Sequence, residues 1–242
     1  MRIAVFSDIH ANLAALEAVL EAIDAEAPDE LWCLGDLIGY GPKPNECTAV
    51  VRERADVCLC GNHDLGIIGS IDLNEFSGDA GFAARWTMDV LEPDARAFIE
   101  TLEPTGRADG VALYHGSARD PVWEYVLSGD AAYATLRLTQ EQIVLVGHSH
   151  VALEVRLHEL LVEGGLAAAG TRLDLADARW VMNPGSVGQP RDGDPRAAWM
   201  LLDLDSQHAE FRRVDYDIER TQSEMRAVGL PDALVTRLAS GQ

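Results

Sequence analysis

Basic residues are scarce in this chain: 19 Lys and Arg stand against 40 Asp and Glu, a formal charge of −21 over 242 residues. Duplex nucleic acid and anionic membrane surfaces are gripped through Lys and Arg, so neither is an expected partner. Long apolar runs are missing as well. No stretch approaches the roughly 18 residues that suggest a membrane span. The apolar segment at the N-terminus is broken by Asp8 and is too short for the core of a signal peptide, so the expected compartment is the cytoplasm. Cysteine is limited to Cys33, Cys47, Cys58 and Cys60, with no C-x-x-C pair, and reduced, buried thiols are the expected state. No repeat, low-complexity tract or linker is visible. Residues 1–242 are therefore expected to form one domain, with 48% hydrophobic residues to fill its core.

Histidine is not abundant, but it is concentrated. The apolar run Ile143 to Val146 ends at Gly147, and His148 and His150 follow with one residue between them. In extended chain, positions i and i+2 project to one side, and Gly147 would permit an unusual backbone angle. Two imidazoles are thus expected together just past a buried strand. The same pattern recurs elsewhere. Arg2 to Ser7 runs into Asp8 and His10, Glu30 to Leu34 into Gly35 and Asp36, Asp56 to Cys60 into Gly61, Asn62, His63 and Asp64, and Val111 to Tyr114 into His115. Of 7 histidines, only His158 and His208 lie away from such strand ends. Imidazole and carboxylate are the ligands that transition metals and hard divalent ions share, so these positions are candidate metal ligands. A cationic centre would also let so acidic a protein receive a phosphate ester.

Around these points the pattern is α/β. Leu13, Leu16, Val19, Leu20 and Ile23 predict a helix over about 12–25 with Asn12 as N-cap. Further helices are predicted at about 45–54, 81–91, 94–101 and 129–138, and the connection 65–78 is expected to be partly helical beside the site. Strands are predicted at 143–146, 151–157, 171–175 and 179–182, with 197–204 and 209–214 as a hairpin. The last part of the chain, about 217–240, reads as helical: Asp217 caps one helix, and Asp232 follows Pro231 at the start of another.

Taken in order, D8-I-H10, G35-D36, G61-N62-H63-D64, H115 and G147-H148-S149-H150 resemble the blocks of the calcineurin-like metallophosphoesterase family. The runs Tyr40 to Pro44 and Asn183 to Asp192 look like its small prokaryotic, phosphodiesterase-like branch. The resemblance implies a four-layer sandwich of two mixed β-sheets flanked by helices. It also implies two divalent metal ions, manganese foremost, with Fe, Zn, Ni or Co as alternatives. One ion would take Asp8, His10, Asp36 and His150; the other would take Asp36, Asn62, His115 and His148. Asp36 would bridge ions about 3.5–4 Å apart. The activity implied is hydrolysis of a small-molecule phosphate ester by hydroxide formed on the paired ions, most simply a phosphodiesterase acting on a nucleotide-like substrate. Phosphomonoesterase activity and a non-catalytic scaffold are the alternatives, and the filled ligand positions speak against the scaffold. His63 is the candidate acid for the leaving oxygen. Asp64 is either its partner or a turn residue. Arg191 could grip phosphate or pair with Asp192 or Asp194, and Tyr40, Trp123 and Tyr125 could flank a base or simply pack. One departure stands out: protein serine/threonine phosphatases of this superfamily carry an arginine just before G-N-H, where this chain has Cys60, which disfavours a protein substrate. Oligomeric state is open.

Overall fold

The computed structural model describes residues 1–76 and 78–242. In chain order its strands are β1 (Arg2–Phe6), β2 (Glu30–Cys33), β3 (Val57–Cys58), β4 (Thr105–Ala108), β5 (Val111–Tyr114) and β6 (Ile143–Val146), then β7 (Leu153–His158), β8 (Leu161–Leu166), β9 (Arg172–Asp174), β10 (Arg179–Asn183), β11 (Ala197–Asp203) and β12 (His208–Val214). Its α-helices are α1 (Leu13–Glu26), α2 (Pro44–Arg54), α3 (Asn62–Ile68), α4 (Gly78–Val90), α5 (Pro93–Ile99), α6 (Gly129–Leu138), α7 (Ile218–Ala227) and α8 (Asp232–Arg237).

The strands form two six-stranded sheets, ordered β3-β2-β1-β11-β12-β9 and β4-β5-β6-β10-β7-β8. Both are mixed. In the first, β1, β2 and β3 run parallel and β11 is antiparallel to β1. In the second, β5, β6 and β10 run parallel and β4 and β7 are antiparallel to their neighbours.

Period-2 alternation builds the layers. Ile3 and Val5 of β1 face Val111, Leu113, Ile143 and Leu145 in the core between the sheets. Ala4 and Phe6 face the opposite way, onto Leu16, Val19 and Ile23 of α1. The outer face of the second sheet, Ala112, Val144 and Val181, is covered by Ala132 and Leu136 of α6. Helix, sheet, sheet and helix give the expected four-layer sandwich. A separate apolar cluster joins Met225, Leu230, Leu234, Val235 and Leu238 of the α7–α8 region to Tyr40 and to Ala83 of α4. Among the described residues, no helix is long and apolar enough to cross a membrane.

The expected helices form, most within one to three residues of the expected bounds, with Asn12 and Asp217 capping α1 and α7. α8 stops at Arg237, three residues before the expected end. Three elements differ. The strand expected to reach Cys60 is only Val57–Cys58, because the chain leaves the sheet to start α3 at Asn62. β4 and β8 were not anticipated; both are sheet edges with no buried residue, β4 alternating between exposed and half-exposed and β8 exposed except at Val162. The connection expected at 65–78 comprises the end of α3, a 3-10 turn at Leu73–Glu75 and the start of α4; its Ser77 lies outside the described residues.

Candidate metal centre

The candidate ligands follow the carboxyl ends of parallel strands β1, β2, β3, β5 and β6, the edge where α/β sheets bind ligands. They come from both sheets and meet where the sheets adjoin. Asp8, His10, Asp36 and His150 offer donor atoms all within 4.8 Å of one another, and so do Asp36, His115 and His148. Every one of these residues is buried, and Asp36 belongs to both groups. Its Oδ1 accepts from the His63 N–H at 2.9 Å, while Oδ2 lies 3.5 Å from His10 Nε2 and 3.4 Å from His115 Nε2.

The imidazoles are aimed by backbone carbonyls. His10 Nδ1 faces the Ile38 carbonyl at 3.1 Å, His115 Nδ1 that of Leu34 at 2.9 Å, and His150 Nδ1 that of Gln189 at 2.7 Å. Donation from Nδ1–H leaves Nε2 as the free lone pair, which is how metal-binding histidines are held. His148 is reversed: its Nε2 faces the Trp123 carbonyl at 3.2 Å, so Nδ1 is the atom left for the centre. His10 Nε2 and His150 Nε2 then stand 3.0 Å apart. With both Nδ1 atoms donating, that close approach sets lone pair against lone pair, and a shared cation relieves it. Buried Asp8 Oδ2, Asp36 Oδ2, Asn62 Oδ1 and His115 Nε2 have no hydrogen-bond partner among the described residues. Buried polar atoms are rarely left this way, and this donor set of carboxylate, amide oxygen and imidazole fits divalent cations.

Charge follows burial. Burial holds His10 and His150 well below the usual imidazole value and pushes Asp8 up to about 7. Burial also opposes charge on His115, but Asp36 at its Nε2 outweighs that and raises it to about 9.

The way the ligands converge corrects the sequence reading. His148 and His150 do not project from extended chain to one side; they serve different groups. The backbone is left-handed at Asp8 (φ 55°), His10 (48°), Asp36 (53°), His148 (65°) and His150 (59°). Such angles cost L-residues about 1–3 kcal/mol each and collect at functional sites. Gly147 does not supply the unusual angle; it is needed for room, since a Cβ there would overlap Ser7 Oγ.

A cavity of ≈ 200 Å³ opens beside Asp36, lined by Tyr40, Asn62, His63, Phe76, Trp123, Tyr125, His148, His150 and Arg191, with Glu75 and Ala80 completing the wall. His63 is packed edge-on between His10 and Phe76 and lies 4.4 Å from the Tyr40 ring. Asp64 does not reach the His63 ring. Its carboxylate accepts from the backbone N–H groups of Gly61 at 2.9 Å, Leu37 at 3.0 Å and Ile38 at 3.1 Å. These contacts fix the chain around Asp36 and Asn62.

Arg191 has no carboxylate partner among the described residues, because Asp192 pairs with Arg213 and Asp194 with Arg196. Its Nη2 donates to Gln189 Oε1 at 2.9 Å and lies 3.4 Å from the Tyr40 hydroxyl. Tyr125 stacks on His148 with ring centroids 4.2 Å apart. Sequence reasoning missed Phe76, an isolated aromatic in a loop with no periodic signal. It also missed the bracing role of Asn183, whose Nδ2 donates to the Gly147 carbonyl at 2.6 Å and to Ser149 Oγ at 3.0 Å.

This fold and this centre define a metallophosphoesterase. Residues 1–207 match the calcineurin-like phosphoesterase superfamily domain, and the chain belongs to that family; it is a hydrolase of phosphate esters. It is similar to a metallophosphoesterase of Sphaerobacter thermophilus, whose crystal structure is 42% identical with a TM-score of 0.91, covering 100% of this chain and 99% of that one. An uncharacterised protein of Methanocaldococcus jannaschii is 36% identical over 248 residues, 99% of this chain and 98% of that protein. A symmetrical bis(5'-nucleosyl)-tetraphosphatase of Aromatoleum aromaticum is 32% identical over 128 residues, 45% of each chain.

Proposed function

We propose that the chain, acting as one domain over 1–242, is a dinuclear phosphodiesterase that hydrolyses a small, nucleotide-like phosphate ester. The observation that carries this reading is the sharing of Asp36 between two ligand groups at the floor of a cavity that Arg191 faces. Asp8, His10, Asp36 and His150 would hold one cation, and Asp36, Asn62, His115 and His148 the other. Bound cations would supply Lewis acidity and water activation. Nitrogen and oxygen donors without thiolate suit manganese, with Fe, Zn, Ni or Co able to compete.

The chain's own groups do the rest. Arg191, which has no carboxylate partner among the described residues, donates to phosphoryl oxygens, taking the place of the arginine that is absent at Cys60. His63 delivers a proton to the leaving oxygen. Trp123, Tyr125, Phe76 and Tyr40 offer faces on which a base can stack. The cavity is smaller than the usual pocket for a drug-sized ligand, which supports capture of one phosphoryl group and part of one substituent. The similarity to symmetrical bis(5'-nucleosyl)-tetraphosphatases supports a nucleotide-like substrate. Four free cysteines agree with a reducing cytoplasm.

The test is turnover of bis-p-nitrophenyl phosphate and p-nitrophenyl phosphate by metal-stripped protein, with Mn, Ni, Zn or Mg restored singly. Diester hydrolysis restored best by Mn is expected. Inactivity with every ion would return the scaffold reading.

A further inference from the structure

Helices α7 and α8 lie beyond residue 207, where the family match ends, yet they reach the supports of the metal centre at two points. Thr221 of α7 is buried, and its hydroxyl donates to Asn12 Oδ1 at 2.8 Å. Asn12 Nδ2 in turn donates to the Gly188 carbonyl at 2.9 Å. Past α8, the Gly241 carbonyl accepts from the Gly193 N–H at 2.9 Å. Gly241 is buried with φ 63°, and a Cβ on it would meet the Asp194 backbone at 2.7 Å, so both its angle and its surroundings require glycine.

Between these anchors runs the short loop from Gly188 to Gly193. It offers the Gln189 carbonyl to His150 Nδ1 at 2.7 Å, and its Arg191 N–H donates to the His150 carbonyl at 3.0 Å. The same loop carries the Arg191 guanidinium to the cavity. Leu234, Val235 and Leu238 share an apolar cluster with Tyr40, whose hydroxyl is the 3.4 Å neighbour of Arg191 Nη2.

We propose that residues 217–241 are a positioning clamp for Arg191. They hold its loop at both ends and back its aromatic neighbour, so the guanidinium meets a phosphoryl group already ordered. Ordering in advance spares the entropy that binding would otherwise cost. The proposal rests on the reading of Arg191 as the phosphate contact.

The test uses the full chain loaded with Mn, and inorganic phosphate as the probe. Thr221→Val removes a hydroxyl at nearly constant volume, and Gly241→Ala strains the other anchor; should the latter fail to fold, the former still decides. Each is expected to weaken phosphate binding roughly tenfold by calorimetry, with metal content unchanged by elemental analysis. Each should raise KM for bis-p-nitrophenyl phosphate more than it lowers kcat. In an Arg191→Ala background, neither should weaken binding further. Unchanged phosphate affinity in Thr221→Val, or losses that persist in full without Arg191, would overturn the clamp while leaving the phosphoesterase reading intact. Failure of the loaded parent protein to bind phosphate would instead overturn the Arg191 reading, and the clamp with it.

Discussion

Burial holds His63 down to about 4, with the Arg191 charge working in the same direction. The ring is neutral in the free protein at ordinary pH. An anionic phosphoryl group in the cavity would add the negative charge that favours imidazolium, which is what the proposed acid role requires. His63→Ala is expected to keep its metals by elemental analysis and to lose roughly 10²–10⁴-fold in kcat on alkyl esters. Esters of p-nitrophenol, which leaves without a proton, should be affected far less, and equal losses on both would remove the acid role. The candidate ligands were legible in the sequence because the same types recur at five strand ends. Their left-handed backbone was not: an Asp or His at φ near 55° is paid for by contacts from remote segments, such as the Ser186 hydroxyl and Gly188 N–H on the Asp8 carbonyl.

Among elements, α3 has the least local reason to exist. It is short, includes Gly66 and the β-branched pair Ile67 and Ile68, and begins on Asn62 itself. From within its first turn, Asp64 takes the backbone N–H of the N-cap Gly61 together with those of the Leu37–Ile38 loop. Asp64→Ala strands those buried donors and is expected to destabilise the metal-free fold by about 3 kcal/mol or more in urea unfolding. It should also release metal more readily to a chelator, because Asn62 and Asp36 lose their common brace. Amphipathic α1 and α6 were readable from spacing because each buries one stripe. β4 and β8 were not, since an edge strand of sequence TGRA or LVEGGL buries no regular face and is set by its partner strand.

At the scale of the molecule, Asp8, Asp36 and Asn62 follow strands of one sheet while His115, His148 and His150 follow strands of the other. A cation held at this seam would tie the two halves of the sandwich. Ions that bind only the folded state at a thousand times their Kd should raise Tm by roughly 10 °C over the chelated protein in scanning calorimetry. An unshifted Tm would mean that the centre is not occupied under those conditions. The two-sheet architecture was legible through the family blocks, but the strand order was not, because β11 next to β1 is a pairing across most of the chain. The same seam means that no binding cavity exists in a growing polypeptide until the segments from Asp8 to His150 have been made and docked. Loading would therefore be a late event, with the ion entering a cage already finished around it.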